Sequence, residues 1–354
     1  MKPLVSILIP AYNAEQLIAE SIQSALAQTW PRKEIIVVDD GSTDRTADIV
    51  RRFGSKVKLI STDNQGQSAA VNSAYRASEG DYIQELDADD ILAPDKIERQ
   101  LGALRAGDSK RALLSSPWAP FYFRTRQARF VNTSLCQDLS PVEWLLRKLG
   151  ENLHMQNATW LVSREVAEIA GPWDAGLHYD QDGEYFVRVV AASDGIRFVP
   201  NTGVYYRATG SGSISVIGNS QAKRESLLCS MKVHIRYLRS LEESERVRRV
   251  CLTYLQNKLG TFYRVRPDMV AEIQSLAAEL GGRLAPPRLR WKYAWMQPLF
   301  GWSVAKWAED ALPAMKSNCL RRYDKAMYSL EGKKARSRYI EKLIHSQGVG
   351  TADS

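Results

Sequence analysis

The feature that most constrains the fold of this chain is a rhythm in its first hundred residues. Short apolar runs at residues 5–9, 35–38, 57–60 and 82–86 alternate with segments of helical spacing. In residues 15–27, Leu17, Ile18, Ile22, Ala25 and Leu26 share one face. After the second run, Ser42 or Thr43 can cap a helix whose buried side holds Ile49, Val50 and Phe53. Residues 68–77 read as a further helix, and Pro94 opens another at its first turn. Such alternation predicts an α/β class with a mostly parallel, doubly wound sheet flanked by helices. Sheets of this kind bind ligands outside the carboxyl ends of their strands. The polar groups fall at those ends: Tyr12 and Asn13, Asp39 and Asp40, Asp63 and Asn64, Asp87 and Asp89. They are expected to converge on one crevice.

The fourth run, "IQELDADD" (83–90), turns from apolar residues to three carboxylates within a few positions. Alternate residues of an extended segment point to opposite faces, so Asp87 and Asp89 need a turn to converge. A hard divalent ion, Mg2+ or Mn2+, accepts one or two carboxylates together with phosphate oxygens. Read alone, the stretch is equally a solvated turn at Asp87 and a helix cap at Asp90. A second carboxylate loop, "VVDDGSTD" (37–44), follows another apolar strand in the matching topological place. Two such loops are harder to explain as turns alone.

Together, "VSILIPAYN", "EIIVVDDGSTDRT", "NQGQSAAVN", "GDYIQELDADD" and "GPWDAGLHYDQDGEYFVRV" resemble the inverting glycosyltransferases of family 2, over about residues 4–215. The resemblance implies a GT-A fold, Rossmann-like, and transfer of a sugar from a nucleotide-diphosphate donor, a UDP-sugar, in polysaccharide or glycoconjugate synthesis. It implies that Pro10, Ala11, Tyr12 and Asp39 hold base and ribose, a carboxylate being able to accept the imide N–H of uracil. Asp40 is expected to stabilise its loop. Asn64 and Gln67 are candidates for ribose or phosphate contacts, and Asn72 for a contact there or to backbone. Asp87 would touch the ribose or the water shell of the ion, Asp89 would ligate it, and Asp90 would cap or support. The family places its catalytic base in a Glu-Asp pair at a helix start. The matching stretch here is "YDQDGEYF", with Gln181 in place of Glu, so Asp182 is the candidate base and Asp180 and Glu184 are the alternatives. Trp173 and Asp174 would shape the acceptor loop. Arg207 and Ser213 in "YYRATGSGSIS" would approach the diphosphate or acceptor, and Gly210 and Gly212 suggest a mobile lid.

Other classes fit less well. No Gly-rich basic loop that could grip a triphosphate follows the N-terminus, against a sugar nucleotidyltransferase, and no G-x-G-x-x-G follows the first strand, against dinucleotide redox chemistry. A non-catalytic nucleotide-sugar-binding module is the remaining rival, which the retained Asp39, Asp87, Asp89 and Asp182 oppose. Cys136, Cys229, Cys251 and Cys319 lie far apart and the four His residues lack ligand spacing, so neither a zinc site nor a disulfide scaffold is expected. The net charge of +8 favours anionic partners, here the nucleotide sugar rather than nucleic acid. No signal peptide and no run of 18 apolar residues is found, which points to the cytoplasm, at the inner membrane face if the acceptor is lipid-linked. The acceptor is a glycan, lipid-linked or other hydroxyl.

The middle segment reads as a strand at 113–118, a hairpin over 121–131, helices at 141–149 and 164–170 around a strand at 159–162, and strands at 198–199 and 204–206. Composition shifts near residue 219, giving three expected parts: a catalytic domain at 1–218, a helical region at 219–317, and a basic, polar, partly disordered tail at 318–354. Residues 283–302 combine Arg283, Arg288, Arg290 and Lys292 with Trp291, Tyr293, Trp295, Phe300 and Trp302. This stretch is expected to pack back on the catalytic domain with its Trp rings buried. Peripheral contact with an anionic membrane and contact with another subunit are the alternatives.

Overall fold

The computed structural model describes residues 2–105, 107–208, 217–218, 220–263 and 265–330. The opening rhythm becomes β1 (Val5–Ala11), α1 (Ile18–Leu26), β2 (Lys33–Asp40), α2 (Thr46–Arg51), β3 (Lys58–Thr62), α3 (Gln67–Arg76) and β4 (Tyr82–Glu85). Next come β5 (Ile91–Leu92), α4 (Lys96–Gly102), β6 (Ala112–Ser115), β7 (Trp118–Phe121), α5 (Pro141–Gly150), β8 (Val162–Ser163), α6 (Arg164–Ala170), α7 (Gln181–Ala192), β9 (Gly195–Phe198) and β10 (Val204–Arg207). The chain then turns helical: α8 (Gln221–Leu241), α9 (Glu245–Leu259), α10 (Pro267–Glu279), α11 (Trp291–Ala294) and α12 (Met296–Leu330).

The main sheet runs β3-β2-β1-β4-β8, parallel except for the antiparallel edge β8. Its inner strands β1, β2 and β4 are buried on both faces, as a parallel sheet requires, while the edge strand β3 is partly exposed. Ile7, Ile9, Ile35 and Val37 face α1, α2 and α4, while Leu8, Ile36, Val38 and Ile83 face α3, α5, α6 and α7. This second cluster continues without a break into Leu227, Met231 and Ile235 of α8, Leu255 of α9 and Ile273 of α10. Helices α8, α9 and α10 therefore share the core of the sheet, while Trp302 and Ala305 of α12 form a separate small cluster with Leu289. In register, Ala11 lies opposite Asp39, and Asp39 and Asp40 lie opposite Ser61 and Thr62, so the strands end together along one rim.

Four expectations are corrected. Ser42 and Thr43 do not cap α2; the Ser42 hydroxyl accepts from Asn13 N–H (2.9 Å) and Thr43 N–H donates to Asn13 Oδ1 (2.8 Å), tying the loop after β1 to the loop after β2. The cap-like bond comes from Asp44, which accepts from Thr46 N–H at 2.9 Å. Residues 121–131 form no hairpin, because β7 finds its partner in the parallel β10 far along the chain. The Trp rings of residues 291–302 are not all buried: Trp302 is, while Trp291 and Trp295 are exposed. Finally, α12 runs past the expected boundary at 317 to Leu330, with a break at Gly301 (φ 78°), and its last turns dock through the buried Asp324–Arg124 ion pair and Tyr328 Oη donating to Glu20 (3.2 Å). Ser213, Gly210 and Gly212 lie outside the described residues.

One close approach sets the entry to β4. A Cβ on Gly80 would stand 2.3 Å from Ser6 Oγ and 2.5 Å from Ser6 N, and the second neighbour is backbone of the central strand β1. Gly80→Ala is expected to lower stability by about 1–3 kcal/mol, as overpacking does. Urea denaturation measures it, and a midpoint equal to wild type would contradict the tight approach.

Candidate active site

The aligned strand ends open into a cleft of about 750 Å3, lined on one side by Pro10, Ala11, Tyr12, Asn64 and Gln67 and on the other by Asp180, Gln181 and Asp182, with Asp87, Asp89 and Arg207 between them. Tyr12, 53% exposed, stands at the mouth. Asp39 does not itself reach the cleft surface. It sits one layer back, opposite Ala11, and its Oδ1 is buried with no hydrogen-bond partner. A buried carboxylate oxygen in this state is costly unless something donates to it. Asp40 holds its loop as expected, accepting from Gln65 and Gly66 N–H, each at 2.8 Å. Asn72 binds backbone: its amide exchanges two hydrogen bonds with Trp173 N–H and C=O.

The chain turns immediately after β4, with Asp90 N–H donating to Asp87 C=O at 3.1 Å. The turn gives Asp87 and Asp89 the common side that an extended strand would deny them. Asp87 accepts from Gln67 Nε2 (3.0 Å) and Asn157 Nδ2 (3.1 Å), so Gln67 steadies Asp87 in this structure. Asp90 does not cap α4. It is fully buried and accepts from Arg207 N–H and Gln156 Nε2, each at 2.7 Å. The Arg207 side chain belongs to the same brace: Nε donates to Asp89 C=O (2.8 Å), Nη1 to Tyr122 C=O (3.3 Å) and Nη2 to Glu20 (2.6 Å), with its plane over Phe121. Arg207 lines the cleft and at the same time braces the Asp-x-Asp turn, Tyr122 and Glu20.

Burial pushes the Asp87 carboxyl up to about 7, with Asp89 and Asp182 adding repulsion against the two amide donors. Burial also raises Asp89, opposed by the Arg207 charge. Glu85 lies beneath them and is driven well above the carboxylate range, first by burial and then by Asp87 and Asp182, despite the Trp173 indole N–H at 3.0 Å. Among the described residues no three His, Cys, Asp or Glu side chains form a ready-made metal cage.

Across the cleft, α7 starts at Asp180, held left-handed at φ 59°. Gly183 makes room for it: a Cβ there would lie 2.2 Å from Asp180 Oδ1. Three acidic side chains crowd this start, and their surroundings differ. Glu184 is buried in a two-pronged pair with Arg188, 2.8 Å at each prong. Asp180 turns inward, 3.8 Å from Nε2 of the buried His234, and burial and Asp182 raise it to about 6. Asp182 lines the cleft with neither commitment. Sequence reasoning missed Gln156 and Asn157, which support Asp90 and Asp87 from a loop ahead of β8. A polar cluster just ahead of the apolar run 160–162 was the available signal.

Residues 6–129 match the model of glycosyl transferase family 2. They form a family 2 glycosyltransferase domain. Over 191 residues the chain is 42% identical to an uncharacterized glycosyltransferase of Rickettsia prowazekii, covering 54% of this chain and 60% of that protein. Over 106 residues it is 44% identical to chondroitin synthase of Escherichia coli, covering 29% of this chain and 16% of that one. The match thus spans 60% of the first of these relatives and 16% of the second, less than two thirds of either. Residues 1–349 of S. aureus TarS, solved in complex with UDP-GlcNAc, superpose with a TM-score of 0.59 at 17% identity, covering 78% of this chain and 79% of that one. The architecture around the family 2 domain is the GT-A fold.

The raised Asp180 carboxyl predicts a pH effect. Its folded value of about 6 exceeds the ordinary 3.8, so the unfolded chain gives up this proton first, and stability is lost as pH rises from about 4 through 6. Asn suits the left-handed conformation. Asp180→Asn should therefore raise stability at pH 8 by about 1–2 kcal/mol and change it little at pH 4, the side chain being 26% exposed. Thermal unfolding at the two pH values checks this, and a loss of stability at pH 8 would show that the charge is favourable there.

Proposed function

We propose that this chain is an inverting glycosyltransferase. It moves a sugar from a nucleotide-diphosphate donor, a UDP-sugar, to an acceptor hydroxyl by direct displacement, in polysaccharide or glycoconjugate synthesis. The observation that carries the reading is that Asp87 and Asp89, at the end of β4, and Asp182, at the start of α7, line one cleft beside the ends of β1 and β2. In this reading Tyr12 packs on the base, and the unpartnered Asp39 oxygen accepts the imide N–H of uracil once a small shift at Ala11 opens it to the cleft. Asn64 and Asp87 take the ribose and the edge of the diphosphate. Every cleft residue lies between positions 10 and 207, so residues 1–218 would hold the whole transfer site.

The residues also fit a divalent ion, Mg2+ or Mn2+. Two carboxylates crowded on one turn, with Asp87 titrating near 7, form a field that a cation relieves. The lack of a third protein ligand suits an ion whose remaining positions are filled by phosphate and water. Asp89 would ligate it with Asp87 beside it, and when bound it supplies charge that stabilises the leaving diphosphate.

Asp182 acts from the acceptor side. It takes the proton of the attacking hydroxyl as the acceptor oxygen bonds to the anomeric carbon. The bond from that carbon to the β-phosphate oxygen breaks, and its electron pair leaves with the nucleoside diphosphate.

Asp182→Asn keeps the shape and loses the base. Transfer should fall by about 10^2–10^4-fold while UDP affinity is retained, and ordinary turnover would move the base elsewhere. Asp89→Ala should abolish the Mn2+-dependent part of UDP binding in a calorimetric titration; wild-type curves would remove the metal role. The nucleotide product identified by chromatography should be a nucleoside diphosphate, whereas pyrophosphate would indicate a nucleotidyltransferase.

A further inference from the structure

Among the described residues sixteen large apolar side chains are exposed, and eleven of them lie in residues 291–330. Chance exposure would scatter them, so this concentration marks a surface. Its centre is aromatic: Trp291 (80% exposed), Trp295, Phe300 and Trp307, with Leu299 and Val304 between them. The charge around it has one sign. Residues 283–330 hold nine Lys and Arg against three acidic residues. Of those three, Glu309 is buried against Arg290 and Lys306, and Asp324 is buried against Arg124. Arg288, Lys292, Lys316, Arg322 and Lys325 stay exposed.

The other side of the same segment is anchored. Trp302 and Ala305 pack with Leu289 and Tyr263, and the far end of α12 is held by Arg124 and Glu20 of the catalytic domain. The aromatic face is therefore presented on a fixed support. From these observations we infer that α11 and α12 dock the enzyme on an anionic lipid bilayer, with Trp and Phe rings in the interfacial layer and the basic side chains on lipid phosphates. Trp is suited to the headgroup boundary, and basic residues are drawn to anionic leaflets. A second copy fits less well, since two such faces would oppose like charge. No described helix is long and apolar enough to cross a membrane, so the contact is peripheral. It is independent of the transfer chemistry, and its test needs no substrate.

The test is co-sedimentation of the full chain with vesicles of phosphatidylcholine alone or containing 30 mol% phosphatidylglycerol, at low and high salt. The account expects binding to the anionic vesicles, weakened at least about tenfold by salt near 0.5 M, and little binding to the neutral ones. Trp291→Ser combined with Trp295→Ser should lower the bound fraction at least about fivefold, with thermal unfolding unchanged. Ile169→Ser, which removes an exposed apolar side chain elsewhere, should leave binding intact. Failure of wild type to bind anionic vesicles would overturn the inference, as would equal binding to neutral ones. Wild-type dimerisation by light scattering, lost in the double variant and accompanied by no vesicle binding, would assign the face to a second copy.

Discussion

The structure turns on the cost of crowding carboxylates at the end of β4. Glu85, Asp87, Asp89 and Asp90 follow one another within six residues, and Asp182 faces them across the cleft. Like charges in a partly dry site repel strongly, and the neighbouring chain answers that repulsion at each position. Amides from Gln67, Gln156 and Asn157 donate to Asp87 and Asp90, the Trp173 indole donates to Glu85, and Arg207 ties the turn to Glu20. These donors come from α3, the loop ahead of β8, the loop before α7, and β10. The architecture can thus be described as a set of elements that converge to hold an acidic turn open at one rim of the sheet.

That view explains why Asp87 and Asp89 differ from Asp90 although they are adjacent. Asp90 is buried and satisfied by a backbone N–H and an amide, as a structural carboxylate should be. Asp87 and Asp89 face the cleft, and burial, with repulsion from Asp89 added, pushes Asp87 up to about 7. Perturbation of this size in a concave site is the signature of a binding or catalytic group. Across the cleft the surroundings also differ: Glu184 pairs with Arg188, Asp180 lies 3.8 Å from His234, and Asp182 lines the cleft.

Much of this was legible in the sequence. The alternation of apolar runs and helical spacing read out the parallel sheet, because strands buried on both faces leave continuous Val and Ile runs. The helix at 164–170 matched to the residue, and the structure shows its N-terminal cap, with Ser163 accepting from Val166 N–H. What escaped was long-range pairing. Alternating polarity at 121–131 could not reveal that β7 pairs with β10, and the roles of Asp90 and Arg207 depend on partners more than a hundred positions apart. Exposure of Trp291 and Trp295 was also hidden, since aromatic content reads as core until the packing is known. Gln181 in place of the family's Glu left three candidate bases, and the buried Glu184–Arg188 pair, which bears on the choice between them, is a contact that sequence spacing alone could not show.

The central claim is that this acidic cleft is built for a nucleoside diphosphate that arrives with a divalent ion. Thermal unfolding of the intact chain with UDP and with GDP, each with and without Mn2+, tests it most directly, because a ligand that binds the folded state raises the midpoint. The account predicts a rise with UDP that is larger when Mn2+ is present than the separate effects of UDP and Mn2+ combined. No shift with either nucleotide, in the presence or absence of the ion, would contradict it.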